Sequence, residues 1–137
     1  MNVELLYGKH ILPIQLAPDW DVSIIRKNAM PILADAKGAI QAALANPVNV
    51  APLAEEAKGA RSTCILICDI TRPVPNGLFL PILVKQLIDA GIAASKITIL
   101  VATGLHRPNE GDEMRELVGD DWVMNTVTVA NHFARND

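Results

Sequence analysis

The chain has 137 residues, half of them apolar and 20% charged. That suits one compact domain, is short for two, and argues against disorder. Twelve Lys and Arg against fifteen Asp and Glu leave a net charge of -3, so the clustered basic surface of a nucleic-acid binder is not expected. The longest apolar runs are about one strand long, far below the ~20 residues of a membrane span. The opening M-N-V-E-L-L-Y-G-K-H lacks a basic start followed by an apolar core. A cytoplasmic location without a membrane partner is the resulting expectation.

Residues 2–7 and 10–16 read as two short strands around Tyr7-Gly8-Lys9, a hairpin signal. Residues 17–29 have mixed character and read as a linker. Pro31 suits a first helical turn, and Ile32, Ala36, Ile40 and Leu44 recur every four residues, predicting a helix over 32–45 that Asn46-Pro47 ends. A shorter helix fits 52–58, opened by Pro52 and stopped by Gly59. The period then changes. T-C-I-L-I-C at 63–68 is a β-rich apolar run of the kind a strand buried on both faces needs. A helix follows up to Ala90, with Asn76 a suitable N-cap and Pro81 inside it. I-T-I-L-V-A at 97–102 is a second buried strand, 109–118 a short acidic helix and T-V-T-V-A at 126–130 a third strand.

The order predicts an α/β domain: a Rossmann-like partial parallel sheet, β-α-β-α-β, preceded by a hairpin and helices. Residues 131–137 follow the last strand with no helix to cover it. The whole of 1–137 therefore reads as a single α/β domain that is a fragment or the N-terminal domain of a larger protein. Cys64 and Cys68 lie four apart on one strand, roughly 13 Å from each other, too far to bridge, and read as core residues. Trp20 and Trp122 also read as packing residues, and His10 has no assigned role.

The polar residues best suited to chemistry gather at three strand ends. D-I-T-R-P-V-P-N (69–76), T-G-L-H-R-P-N (103–109) and N-H (131–132) each follow a predicted parallel strand. Ligands of open α/β sheets bind at those ends. Arg72 is a permanent cation with a planar fork, suited to a carboxylate or phosphate, and Pro73 and Pro75 stiffen its loop. Asp69 is placed to orient Arg72 or His106, and His106 can exchange a proton near neutral pH. Gly104 permits a sharp turn.

Plainer roles fit the same residues. Asp69 and Thr71 can serve as turn caps, Arg72 as a surface ion pair, His106 as a loop histidine and His132 as a turn residue. Arg107 suits a structural role better than Arg72, since sequence neighbours seldom face one ligand. No G-x-G-x-x-G, P-loop or G-x-S-x-G is present, and no residues have the close spacing of a zinc or nickel site, so no metal ligand is assigned.

D-I-T-R-P-V-P at 69–75, A-T-G-L-H-R-P at 102–108 and N-H at 131–132, preceded by L-L-Y-G-K at 5–9, together resemble the N-terminal domain of the nickel-dependent lactate racemase family. The resemblance covers nearly the whole chain. It implies the substrate-side part of a two-domain 2-hydroxyacid racemase or epimerase, an isomerase. In that family a nickel pincer nucleotide accepts hydride from C2 while a histidine takes the hydroxyl proton. His106 matches the first acid/base histidine, and Arg72 matches the carboxylate-binding arginine. Asp69 and Thr71 stand beside it on the substrate side. Thr103, Gly104, Arg107 and His132 are left with cofactor or loop roles. The cofactor-tethering lysine, the nickel-binding histidine and the second acid/base histidine belong to the part after this domain. The resemblance thus implies a small 2-hydroxy acid and a missing C-terminal domain as partners, and an isolated chain without racemase activity. An oligomer is left open. Phe133 stands where the family often has Asp. The alternative is a non-catalytic α/β module that binds a carboxylate or phosphate ligand or a partner domain.

Overall fold

The structure, a computed structural model, describes residues 1–134; residues 135–137, the end of the tail after the last predicted strand, lie outside the described residues. The chain forms two compact units, residues 1–32 and residues from Leu33 onward.

In the first unit β1 (Asn2–Tyr7) pairs antiparallel with β2 (His10–Gln15), with Tyr7 opposite His10. The predicted hairpin is present, one residue shorter at its end. Gly8 makes the turn at φ 59°, a conformation that costs a glycine little. The Leu16 N–H donates to the Met1 carbonyl at 2.8 Å and closes the open end. Residues 17–32 contain no helix or strand.

In the second unit come α1 (Ala36–Ala45), α2 (Leu53–Glu56), β3 (Thr63–Cys68), α3 (Asn76–Asp89), β4 (Ile97–Ala102), α4 (Gly111–Val118), α5 (Asp121–Thr126) and β5 (Thr128–Asn131). The sheet is parallel throughout, in the order β3-β4-β5. The fold is the mixed α/β arrangement expected, with a three-stranded parallel sheet and a separate antiparallel hairpin.

Some boundaries differ for identifiable reasons. α1 begins at Ala36 instead of Ile32, because the Asp35 carboxylate accepts the Gly38 N–H at 2.8 Å and fixes the helix start there. The second helix keeps only Leu53–Glu56 of the span 52–58. Asn76 is the first residue of α3 and not its cap; its buried side chain donates instead to the Leu117 carbonyl at 2.9 Å. α4 starts at Gly111, two residues late. The strand expected at 126–130 is β5 at Thr128–Asn131, and the residues before it form a helix that the sequence reading missed. That helix starts where the Asp120 carboxylate accepts the Val123 N–H at 2.8 Å.

The core lies on one side of the sheet. Leu80, Val84 and Leu87 of α3, spaced to share one helical face, meet Ile67, Ile97, Ile99 and Val101, joined by Val118 and Val123. Burying each such side chain contributes about 1.5–3 kcal/mol. α3 and α4 approach closely: a Cβ on Gly77 would collide with the Gly119 carbonyl, and Gly119 ends α4 at φ 68°.

The opposite face is open. Cys64, Leu66, Cys68 and Ala102 are exposed, and Leu66 keeps 68% of its surface accessible. This corrects two expectations: β3 is buried on one face only, and the cysteines are not core residues. Topology gives the reason. The strands are laid down in one direction, so right-handed crossovers put both connections, α3 and the α4–α5 pair, on the same face. Trp20 and Trp122 are exposed as well, at 62% and 46%, against their expected packing role. Among the described residues no helix is long and apolar enough to cross a membrane.

Candidate functional site

Three loops leave the carboxyl ends of β3, β4 and β5, and the sheet register sets them side by side: Ile67 pairs with Val101, and Val101 with Asn131. The first loop starts with Asp69, which is 5% exposed. Its Oδ1 accepts the Thr71 hydroxyl at 2.6 Å and the Thr71 N–H at 3.2 Å, a local turn that bends the chain back over the carboxylate. Its Oδ2 meets Nδ1 of His106, on the second loop. Between the two partners left open by the sequence, Asp69 faces His106.

The Thr71 hydroxyl bond first, and the His106 contact second, hold the Asp69 carboxyl below its ordinary range. An ionised carboxylate accepts only, so the proton between them belongs to Nδ1. That fixes the tautomer and leaves Nε2 of a neutral imidazole with its lone pair. The His106 side chain is 52% exposed, so this nitrogen can be reached from outside. Arg72 joins the group through Thr71, whose Oγ1 accepts from the guanidinium at 3.1 Å. Arg72 is exposed, and among the described residues it has no carboxylate partner. A cation, a hydroxyl, a carboxylate and an imidazole therefore form one hydrogen-bonded series.

The second loop turns sharply. The His106 N–H donates to the Thr103 carbonyl at 3.0 Å, and Gly104 takes φ 57° within that turn. A Cβ there would meet no neighbour, so the backbone angle and not space is what calls for glycine. Buried Thr103 donates its hydroxyl to the His132 carbonyl and ties this loop to the third. Arg107 points elsewhere: its guanidinium grips Glu113 through two bonds of 2.6 and 2.7 Å. Arg107, then Asn109, hold the Glu113 carboxyl down to about 2, and the same pairing raises the Arg107 guanidinium. His132 is exposed, and its backbone makes its structural contacts.

His106 stands between two clefts. One, of about 360 Å³, lies between 104–108 and 132–134, with His132 and Phe133 among its lining residues. The other, of about 530 Å³, runs past Asp69 and Arg72 onto the open sheet face at Leu66, Cys68 and Ala102. The series can thus hold an anion at Arg72 and exchange a proton at His106. Among the described residues no group of three or more His, Cys, Asp or Glu side chains converges as a metal would require. The sequence reading left Glu113, Asn109 and Asn131 without roles. Glu113 could have been suspected from its place one helical turn past the Arg-Pro-Asn run; the two asparagines appear only within quoted motifs.

The profile of the lactate racemase N-terminal domain family matches residues 7–137. The lactate racemase of Thermoanaerobacterium thermosaccharolyticum is 33% identical over 137 residues, covering 98% of this chain and 32% of the relative. That of Lactiplantibacillus plantarum is 36% identical over 98 residues, covering 72% of this chain and 23% of the relative. The solved lactate racemase apoprotein from T. thermosaccharolyticum superposes with a TM-score of 0.76 at 32% identity, over 99% of this chain and 31% of that one. The chain spans about a third or less of the length of the relatives it matches.

Proposed function

Given that this chain belongs to the lactate racemase family, as its N-terminal domain, we propose that it forms the substrate side of a 2-hydroxyacid racemase whose remaining machinery lies in a longer protein. The observation that carries this reading is the Arg72–Thr71–Asp69–His106 series at the carboxyl edge of the sheet. Arg72 binds the substrate carboxylate with its free fork. Thr71 holds the guanidinium and shares Asp69 with His106. Asp69 keeps the proton on Nδ1, so Nε2 accepts the hydroxyl proton of the substrate and returns it.

In this reading the family's nickel pincer nucleotide, when bound, would supply the hydride-accepting chemistry. The chain spans about a third or less of the length of its relatives, and in this reading the remaining part would hold that group, leaving the isolated chain inactive. The open sheet face supports the same view, because the larger cleft runs onto it and lacks a wall there. Thr103 and Gly104 shape the His106 loop, and Arg107 holds it to α4. His132 and Phe133 line the smaller cleft and face the bound partners.

The test uses the longer, cofactor-loaded protein with lactate as the first substrate. Arg72→Ala raises KM, and His106→Ala lowers kcat. Normal kinetics in both variants would overturn the assignment, and the binding-module reading would replace it.

A further inference from the structure

The Asn131-His132 pair belongs to the motif that singles out the third loop, yet the mechanism above uses neither imidazole nor carboxamide from it. The hydrogen bonds give Asn131 a different task. The loop that carries His106 runs from Thr103 to Asn109. Its near end is fastened by the Thr103 hydroxyl to the His132 carbonyl, while the His132 N–H donates to the Val101 carbonyl at 2.9 Å. Its far end is fastened by the Asn131 carboxamide. Oδ1 accepts the Asn109 N–H at 2.9 Å, and Nδ2 donates to the Asn109 carbonyl at 2.8 Å. Both ends of the His106 loop are therefore tied to two consecutive residues at the end of β5.

Asn109 passes the tie onward. Its side chain, in a residue 2% exposed, accepts the Ile70 N–H at 3.3 Å and donates to Glu113 at 2.9 Å. Ile70 directly follows Asp69. A second path thus joins the loops of Asp69 and His106, independent of the bond between those two side chains. We propose that Asn131 is a positioning residue: it sets where His106 stands relative to Asp69 by gripping the backbone of Asn109. Asparagine suits this because a carboxamide presents one donor and one acceptor together, matching a peptide's carbonyl and N–H. Aspartate, of the same shape, would set a second acceptor against the Asn109 carbonyl.

The effect on turnover rests on His106 being the acid/base group; the effect on the loop does not. NMR of the 137-residue chain tests the loop directly. In the wild type the His106 Nδ1–H gives a downfield, slowly exchanging signal, and the Asn109 amide exchanges about as slowly as those of β4. Asn131→Asp and Asn131→Ala broaden or remove the His106 signal and speed Asn109 exchange by about tenfold or more, as loss of the part-buried bond from that amide would. The amides of Ile99 and Val101 keep their protection. His132→Ala leaves the His106 signal in place, because that tie uses a backbone carbonyl.

An unchanged His106 signal with slow Asn109 exchange in Asn131→Asp would overturn the proposal. If the variants do not fold, the wild-type Asn109 amide decides, since exchange at the rate of an open loop would overturn it too. In the longer enzyme Asn131→Ala lowers kcat about tenfold or more and leaves KM little changed, as a small misplacement of a reacting group does. Retained turnover in His106→Ala would sink the functional reading and leave the loop result standing.

Discussion

The loops after β3 and β4 end alike and behave differently. D-I-T-R-P-V-P-N and T-G-L-H-R-P-N each carry an Arg-Pro pair and each close on an asparagine that is 2% exposed, Asn76 and Asn109. Yet among the described residues Arg72 reaches only a hydroxyl, while Arg107 is held by both oxygens of Glu113. Asn76 donates to the Leu117 carbonyl, and among the described residues its Oδ1 has no partner; Asn109 uses its whole carboxamide. The cause is the nearest uncommitted carboxylate. Glu113 stands in the first turn of α4, six residues past Arg107, and takes that cation. The acid of the first loop is already bound to Thr71 and His106, so Arg72 stays free for an anion from outside. Arg-Pro supplies a stiff backbone, and the surrounding acids decide whether the cation serves the fold or a ligand.

The contrast can be broken most severely at His106. If the longer protein is the racemase proposed above, His106→Ala should lower its kcat by about 10²–10⁴-fold, the usual worth of a positioned acid/base group; steady-state kinetics with both lactate enantiomers measures it. Arg72→Ala should raise KM by about 30- to 150-fold, the loss of ~2–3 kcal/mol of charge-assisted hydrogen bonding, whereas Arg107→Ala should leave KM within about twofold. Equal effects of the two arginines would erase the distinction. At the end of the first loop, Gly77→Ala should lower stability by ~1–3 kcal/mol in urea unfolding, because the added methyl meets the Gly119 carbonyl and the helices must part.

Acid should act on both loops. The Asp69 and Glu113 carboxyls have lowered folded-state values, so the stability they contribute is present above the unfolded carboxylate range and lost as pH falls through the folded values. The melting temperature should hold from neutrality to about pH 5 and then fall between about pH 4 and 2. Glu113→Gln should remove part of that fall. Parallel melting profiles in the two proteins would mean that the Arg107 clamp is not ionic in origin. The smallest effect is the neutral-pH one: Arg107→Ala should shift the melting temperature by only about a few degrees, as expected of an exposed pair.

Much of the architecture is legible in the sequence. T-C-I-L-I-C and I-T-I-L-V-A are strands at their predicted bounds, because β-branched runs between turn residues have few other uses. Their burial was not legible. A continuous apolar run has no period to say whether one face or both are covered, and Cys64, Leu66 and Cys68 lie on the open one. D-W-V-M-N-T is not legible as a helix, because six residues are too few for a helical stripe to register. The meeting of three loops followed from the strand-end rule. Their inner wiring did not. Asp69 turning to His106 instead of Arg72 depends on the bend made by Thr71, and Asn131 gripping Asn109 depends on the register of β5 against β4.

The order of the strands bears on how the sheet comes together. Space repeats sequence, β3 then β4 then β5, and each strand pairs with the one made just before it. Every new pairing closes only one crossover, which keeps the loop-closure cost low for a parallel sheet. Along the chain β3 precedes β4 and β4 precedes β5, so each strand's partner is synthesised before it. No strand made later is needed to separate two made earlier. Asp69, His106 and Asn131 thus reach one edge of the sheet in the order in which the chain is written.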